Sequence, residues 1–167
     1  MAKKKVMLVD DEEVVLESFK RGLKGEGYEI ITAVNSNDAF NKLNAFPDIK
    51  VIVSDIKMPG MDGMEFLKMI KREYPYIIRI VLTGYADVDN AIAAVNEGQV
   101  YRFITKPWDI MEVRIILRLA LQYQQALEEY RLPVRDVQRA VKSIEELEKR
   151  FPGISKISTD DEGRIVI

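Results

Sequence analysis

The stretch VMLVDDEEVVLESFKRGLKGEG, residues 6–27, decides the fold. Val6 to Val9 form an uninterrupted apolar run, the mark of a strand buried on both faces. The run stops abruptly at Asp10 and Asp11. From Asp10 to Lys24 the residues Val14, Val15, Phe19 and Leu23 recur at helical spacing, and Gly25 and Gly27 close the segment. A buried strand, an acidic turn and an amphipathic helix make one βα unit.

Outward from it the pattern repeats. Tyr28 to Val34 reads as a second strand, and Ser36 or Asn37 caps a helix carrying Ala39, Phe40 and Leu43 that stops before Pro47. Val51-Ile52-Val53 forms a third strand ending at Asp55, followed by a helix over 64–74 with Phe66, Leu67 and Ile70 on one face. Ile77 to Leu82 is the fourth strand and Asp87 to Asn96 the fourth helix. Val100 to Ile104 is the fifth strand, and a long helix starts near Asp109. Strict alternation of strand and helix predicts an α/β fold, a doubly wound five-stranded parallel sheet of the flavodoxin-like kind with helices on both faces.

Composition narrows the chemistry. The chain has 167 residues, enough for one domain plus an extension, and 47% are hydrophobic, which excludes a disordered chain. Twenty-five basic residues against 27 acidic ones leave a charge of −2, so no direct nucleic-acid binding is expected. The absence of cysteine excludes disulfides and thiolate metal sites, and the absence of histidine excludes a Ser-His-Asp triad and His-ligated metals. No apolar run is long enough to span a membrane. Val6 to Val9 is too short for the core of a signal peptide, which makes the cytoplasm the expected location.

In such sheets ligands bind outside the carboxyl ends of the strands, where the strand order reverses. The residues at those ends are Asp10 and Asp11 after the first strand, Asp55 after the third, Thr83 after the fourth and Lys106 after the fifth. Ionised carboxylates sharing a cleft need a cation, and an all-oxygen donor set points to Mg²⁺. A carboxylate can attack phosphorus to give an aspartyl phosphate. That assigns Asp55 as nucleophile and phosphoacceptor and Asp10 and Asp11 as metal holders, with Thr83 and Lys106 binding phosphoryl oxygens.

Over roughly residues 3–125 the sequence resembles the receiver domain of two-component response regulators. The matching segments are Val-Met-Leu-Val-Asp-Asp-Glu-Glu (6–13), Val-Ser-Asp-Ile-Lys-Met-Pro-Gly-Met-Asp-Gly (53–63), Val-Leu-Thr-Gly-Tyr (81–85) and Phe-Ile-Thr-Lys-Pro-Trp (103–108). The resemblance implies a phosphorelay protein, not an enzyme in its own right, that takes its phosphoryl group from a sensor histidine kinase or a phosphotransfer protein. It further implies a metal shell of Asp10, Asp11, Asp55 and the backbone carbonyl of Lys57, and a switch formed by Thr83 and the aromatic Phe103. A cis peptide between Lys106 and Pro107 is implied as well.

The tail divides the chain into 1–125, the receiver, and 126–167, an extension. Val113, Ile116, Ala120, Tyr123, Leu127, Tyr130, Val134, Val137, Val141 and Ile144 alternate in steps of three and four, a heptad seam continued by Glu148 and Phe151. The seam outruns the receiver, so it is covered by a second copy in a homodimer or by an intramolecular hairpin. Pro133 predicts a break or kink near Arg131 and a new helix from about Pro133 to Arg150. Ile154 to Thr159 and Arg164 to Ile167, separated by an acidic Gly-ended loop, predict a β-hairpin. Two other readings stay open: the amino-terminal part of a larger transcription factor or signalling enzyme, and a non-switching adaptor with the receiver fold.

Overall fold

A computed structural model describes residues 3–152, 158–159 and 165–166. It has five parallel strands, β1 (Lys5–Val9), β2 (Glu29–Ala33), β3 (Ile49–Asp55), β4 (Ile78–Thr83) and β5 (Arg102–Thr105), in the order β2-β1-β3-β4-β5. Five helices follow the strands: α1 (Glu13–Gly22), α2 (Ser36–Ala45), α3 (Gly63–Glu73), α4 (Val88–Asn96) and α5 (Ile110–Arg150). A 3-10 turn at Tyr85–Asp87 precedes α4. The expected doubly wound parallel sheet is what forms, and the strand order reverses at β1.

Period-two alternation splits each buried strand between two cores. Met7, Val9, Ile52 and Val81 pack with Ala39, Leu43, Phe66, Leu67, Ile70, Ala91 and Ala94 of α2, α3 and α4. Val6, Leu8, Val53, Ile80 and Leu82 belong to the other face, and α1 and α5 contribute the buried Leu16, Phe19, Val113, Leu117 and Ala120. Helix ends follow local chemistry. The cap of α2 is Asn35 rather than Ser36 or Asn37; its side-chain oxygen accepts from the Asp38 amide at 2.8 Å. Asp62 caps α3 in the same way, accepting from the Glu65 amide at 2.8 Å.

One turn determines how closely α3 approaches the sheet. Gly63, the first residue of α3, donates its amide to the Ile56 carbonyl at 2.7 Å. A Cβ on Gly63 would collide with the backbone carbonyl of Asp55, a neighbour that cannot rotate away. Gly84 has open space where its Cβ would be.

The tail corrects one expectation. α5 is a single helix of 41 residues, with no break at Pro133. Proline forfeits one hydrogen bond and crowds the preceding turn. Here it is flanked on both sides by long runs of good helix formers, so propagation continues on either side and the terminal cost of a new helix is avoided. The chain divides into two compact units, residues 1–126 and 127–167. In the second, Ser158–Thr159 and Ile165–Val166 (β6 and β7) pair antiparallel, the pairing expected of the hairpin. The loop between them and the flanking residues 153–157 lie outside the described residues.

Gly63→Ala should lower folding stability by about 3 kcal/mol or more, because backbone must shift to admit the methyl group. Gly84→Ala should stay within about 0.5 kcal/mol of the parent. Urea unfolding of the two variants beside the parent checks both.

Candidate functional site

Register places the carboxylates. β1 pairs with β3 so that Val9 lies beside Ser54, and the next residues are Asp10 and Asp55. The reversal of strand order leaves no helix across the sheet edge at this point, so the two side chains meet at the carboxyl end. Asp10, Asp11 and Asp55 each offer a carboxylate oxygen within 4.8 Å of the others. Asp10 and Asp55 are buried, whereas Asp11 is exposed. The Glu12 amide donates to Asp10 Oδ1 at 2.9 Å and fixes that carboxyl group.

Lys106 completes the cluster from the far side of the sheet. Its backbone amide donates to the Thr83 carbonyl at 2.7 Å, which continues the β4–β5 ladder by one residue. Its Nζ lies 3.1 Å from Asp10 Oδ2 and 3.3 Å from Asp55 Oδ2. The Lys106–Pro107 peptide is cis. Just beyond it, Trp108 packs against Phe19 of α1 with ring centroids 4.6 Å apart, which ties the lysine's loop to the core. In the sequence Trp108, the only tryptophan in the chain, ends the matching segment 103–108, but nothing in that pattern names Phe19 as its partner. Gly63 likewise ends the matching segment 53–63, and its spacing says nothing of the carbonyl it packs against.

The electrostatics are strained in one direction and relieved in another. Burial, and then the Asp10 charge, push the Asp55 carboxyl above its ordinary pKa, while Lys106 pulls it down less strongly. For Lys106, burial works against the charged form. The hydrogen bond and charge of Asp10, with the charge of Asp55, outweigh that and hold its pKa above the ordinary value.

The remaining predicted residues are placed differently. Thr83 is fully buried and its hydroxyl donates to the Gly84 carbonyl at 3.1 Å. Lys57 lies in the loop after β3, and its exposed ammonium sits 3.4 Å from Asp87 Oδ2 at the start of α4. Phe103 lies on β5 beside Val81 and packs, partly buried, against the core shared with α4. Side-chain hydrogen bonds and ion pairs therefore join Asp10, Asp55 and Lys106 directly, while the side chains of Thr83, Lys57 and Phe103 make the separate contacts just described.

The set fits a hard divalent cation, because three carboxylate oxygens converge and the cluster contains neither nitrogen nor sulfur ligands. Residues 6–118 match the family described as the response regulator receiver domain. The chain belongs to that family. Among curated relatives, the receiver resembles the DNA-binding transcriptional regulator NtrC of Salmonella typhimurium, 36% identical over 72% of this chain and 25% of the relative. It also resembles the hydrogenase transcriptional regulatory protein HoxA of Cupriavidus necator, 40% identical over 62% of this chain and 21% of that protein. The chain thus spans about a quarter or less of the length of these relatives. A solved response regulator receiver domain protein of Clostridium thermocellum superposes with a TM-score of 0.69 at 33% identity, covering 76% of this chain and 99% of that one. The signal receiver domain of an HD domain-containing protein from Pseudomonas fluorescens gives 0.70 at 34%, covering 77% and 94%. Among the described residues no helix is long and apolar enough to cross a membrane.

A raised Asp55 pKa means that the folded receiver holds this proton more tightly than the unfolded chain does. Stability present below the ordinary carboxylate range is therefore lost as pH rises through the raised folded value. Asp55→Asn removes that loss. The variant should melt above the parent at pH 7, and the difference should close in acid. Added Mg²⁺ should raise the parent's melting temperature more than the variant's. Thermal unfolding across pH, with and without Mg²⁺, measures both effects.

Proposed function

We propose that the receiver accepts a phosphoryl group on Asp55 in a Mg²⁺-dependent reaction and passes the change to a protein-interaction surface. The observation that carries this reading is the contact of Lys106 with both Asp10 and Asp55 at one sheet edge. Asp10, Asp11, Asp55 and the Lys57 carbonyl would hold Mg²⁺, which when bound neutralises charge on the phosphoryl oxygens. An Asp55 carboxylate oxygen attacks phosphorus. The new O–P bond forms as the donor's P–N or P–O bond breaks, and the leaving imidazole or oxyanion takes up a proton. Lys106 binds a phosphoryl oxygen through its ammonium group, and Thr83 donates its hydroxyl to another. The donor is a sensor histidine kinase or a phosphotransfer protein, and the site of action is the cytoplasm. The transfer is stoichiometric signalling, not turnover of a metabolite.

Phosphorylation brings charge and acceptor oxygens to the edge beside Thr83. In this reading Thr83 exchanges the Gly84 carbonyl for a phosphoryl oxygen, and Phe103 turns inward beside it. The surface of α4, β5 and α5 is then reshaped, with populations set by the phosphate.

The tail of α5 supplies the output as a homodimer. Val137, Val141, Ile144 and Phe151 are all exposed, and leaving such side chains in water forgoes about 1.5–3 kcal/mol each. A second reading rests on coverage. The relatives are about four times as long as the matched region, so the receiver can serve as the regulatory part of a longer protein. DNA binding, which the name of one relative describes for that relative, would then belong to other segments. Intact mass of the native gene product separates the two.

With Mg²⁺ and a small phosphodonor, the protein should gain one base-labile phosphoryl group, and Asp55→Asn should abolish it. Amide resonances from Gly84 to Phe103 should shift on labelling. Full labelling of Asp55→Asn would overturn the assignment. Val137→Asp combined with Val141→Asp should shift a dimer to monomer in sedimentation while leaving Asp55 phosphorylatable. A parent that stays monomeric at high concentration would favour the intramolecular hairpin.

A further inference from the structure

The exposed distal half of α5 carries enough pattern to specify how two copies would meet. Tyr130, Val137, Val141, Ile144, Leu147 and Phe151 are between 44% and 77% exposed, although each is apolar or aromatic. In heptad terms Leu127, Val141 and Glu148 occupy a positions, and Tyr130, Val137, Ile144 and Phe151 occupy d positions. We propose that two copies of this chain pair antiparallel along residues 127–151 of α5, centred on Arg139, so that Tyr130 of each meets Glu148 of the other. This rests on the dimer proposed above and adds its direction and register.

The seam discriminates between the two directions. In a parallel, in-register pair a faces a and d faces d. Glu148 would then lie opposite the partner's Glu148, two carboxylates inside an apolar seam. The flanking positions offer nothing in return: Ala140 would face the partner's Glu145. In the antiparallel pair each a faces a d. Val141 meets the partner's Val137, and Leu127 meets the partner's Phe151. Glu148 meets the partner's Tyr130, whose phenol O–H donates to the carboxylate.

Charge at the flanks agrees. On one side Arg131 faces the partner's Glu145, and the two-fold axis repeats the ion pair. Gln138 faces the partner's Gln138 between these pairs. On the opposite side Ala140 faces the partner's Ala140, small enough to let the helices approach closely. One register therefore satisfies the seam and both flanks, and every contact occurs twice.

The chain contains no cysteine, so single-cysteine variants of the full-length protein carry one spin label each. Arg139→Cys is level with the centre but on the outer face of the helix, so its two labels should be separated by the width of the pair alone, with no offset along the axis. Lys149→Cys lies ten residues from the centre, so its two labels should be separated by about 30 Å along the axis. Labels with no axial offset at either position mean a parallel pair and overturn the direction while leaving the dimer intact. A monomeric mass with no label–label distance overturns the dimer as well. Arg131→Glu should weaken association about tenfold, with Arg131→Glu plus Glu145→Arg restoring it. Restoration is specific to the antiparallel register, since these residues lie two heptads apart in a parallel pair. Failure of the double variant to restore association overturns the register.

Discussion

The site depends on two buried carboxylates held side by side by one ammonium. β1 beside β3 fixes Asp10 next to Asp55, and no rotation of either side chain removes both from the cleft. Burying like charges is unfavourable, and the raised pKa of Asp55 expresses that cost. Lys106 offsets part of it by touching both groups. The rest is carried by the sheet, whose apolar strands hold the register whatever the charges prefer. Removing the ammonium would leave two uncompensated anions at the end of two buried strands. The same unfavourable arrangement suits the cleft to a cation, since three carboxylates converge there at a cost to stability.

Most of the fold was legible because two signals coincide. Apolar runs such as Val6 to Val9 mark strands buried on both faces, and stripes such as Phe66, Leu67 and Ile70 mark the covering helices. Element ends were less legible. β5 starts at Arg102, although the apolar pattern begins at Val100, because Tyr101 donates one bond to the Arg79 carbonyl without continuing the ladder backwards. Asn35 won the α2 cap over Ser36 and Asn37 because its oxygen reaches the Asp38 amide, a choice among neighbouring polar residues that spacing does not resolve.

The site was legible at the strand ends and obscure behind them. A parallel sheet lines up Asp10, Asp55, Thr83 and Lys106 at one edge from chain order alone. The support for that edge is three-dimensional. Gly63 is required by a carbonyl eight residues earlier, and Trp108 is required by an aromatic ring on α1. Neither demand leaves a periodic trace. Lys57 illustrates the opposite limit, since its side chain turns to Asp87 and away from the acidic cluster, and only its backbone is available to that cluster.

α5 shows how one repeat can serve two partners. Near its start Val113, Leu117 and Ala120 are fully buried against the sheet, whereas Val137 and Val141 further along are exposed. A heptad is shorter than two turns of an ideal helix, so its seam drifts about 20° per repeat. Between Val113 and Val141 lie four repeats, and the drift amounts to about 80° on a straight helix. On such a helix the apolar stripe near Val113 and the one near Val141 lie on different faces of the helix itself. Pro133 had suggested a boundary between two helices with separate tasks. One unbroken helix can carry both stripes, because the period of the sequence and the period of the backbone differ.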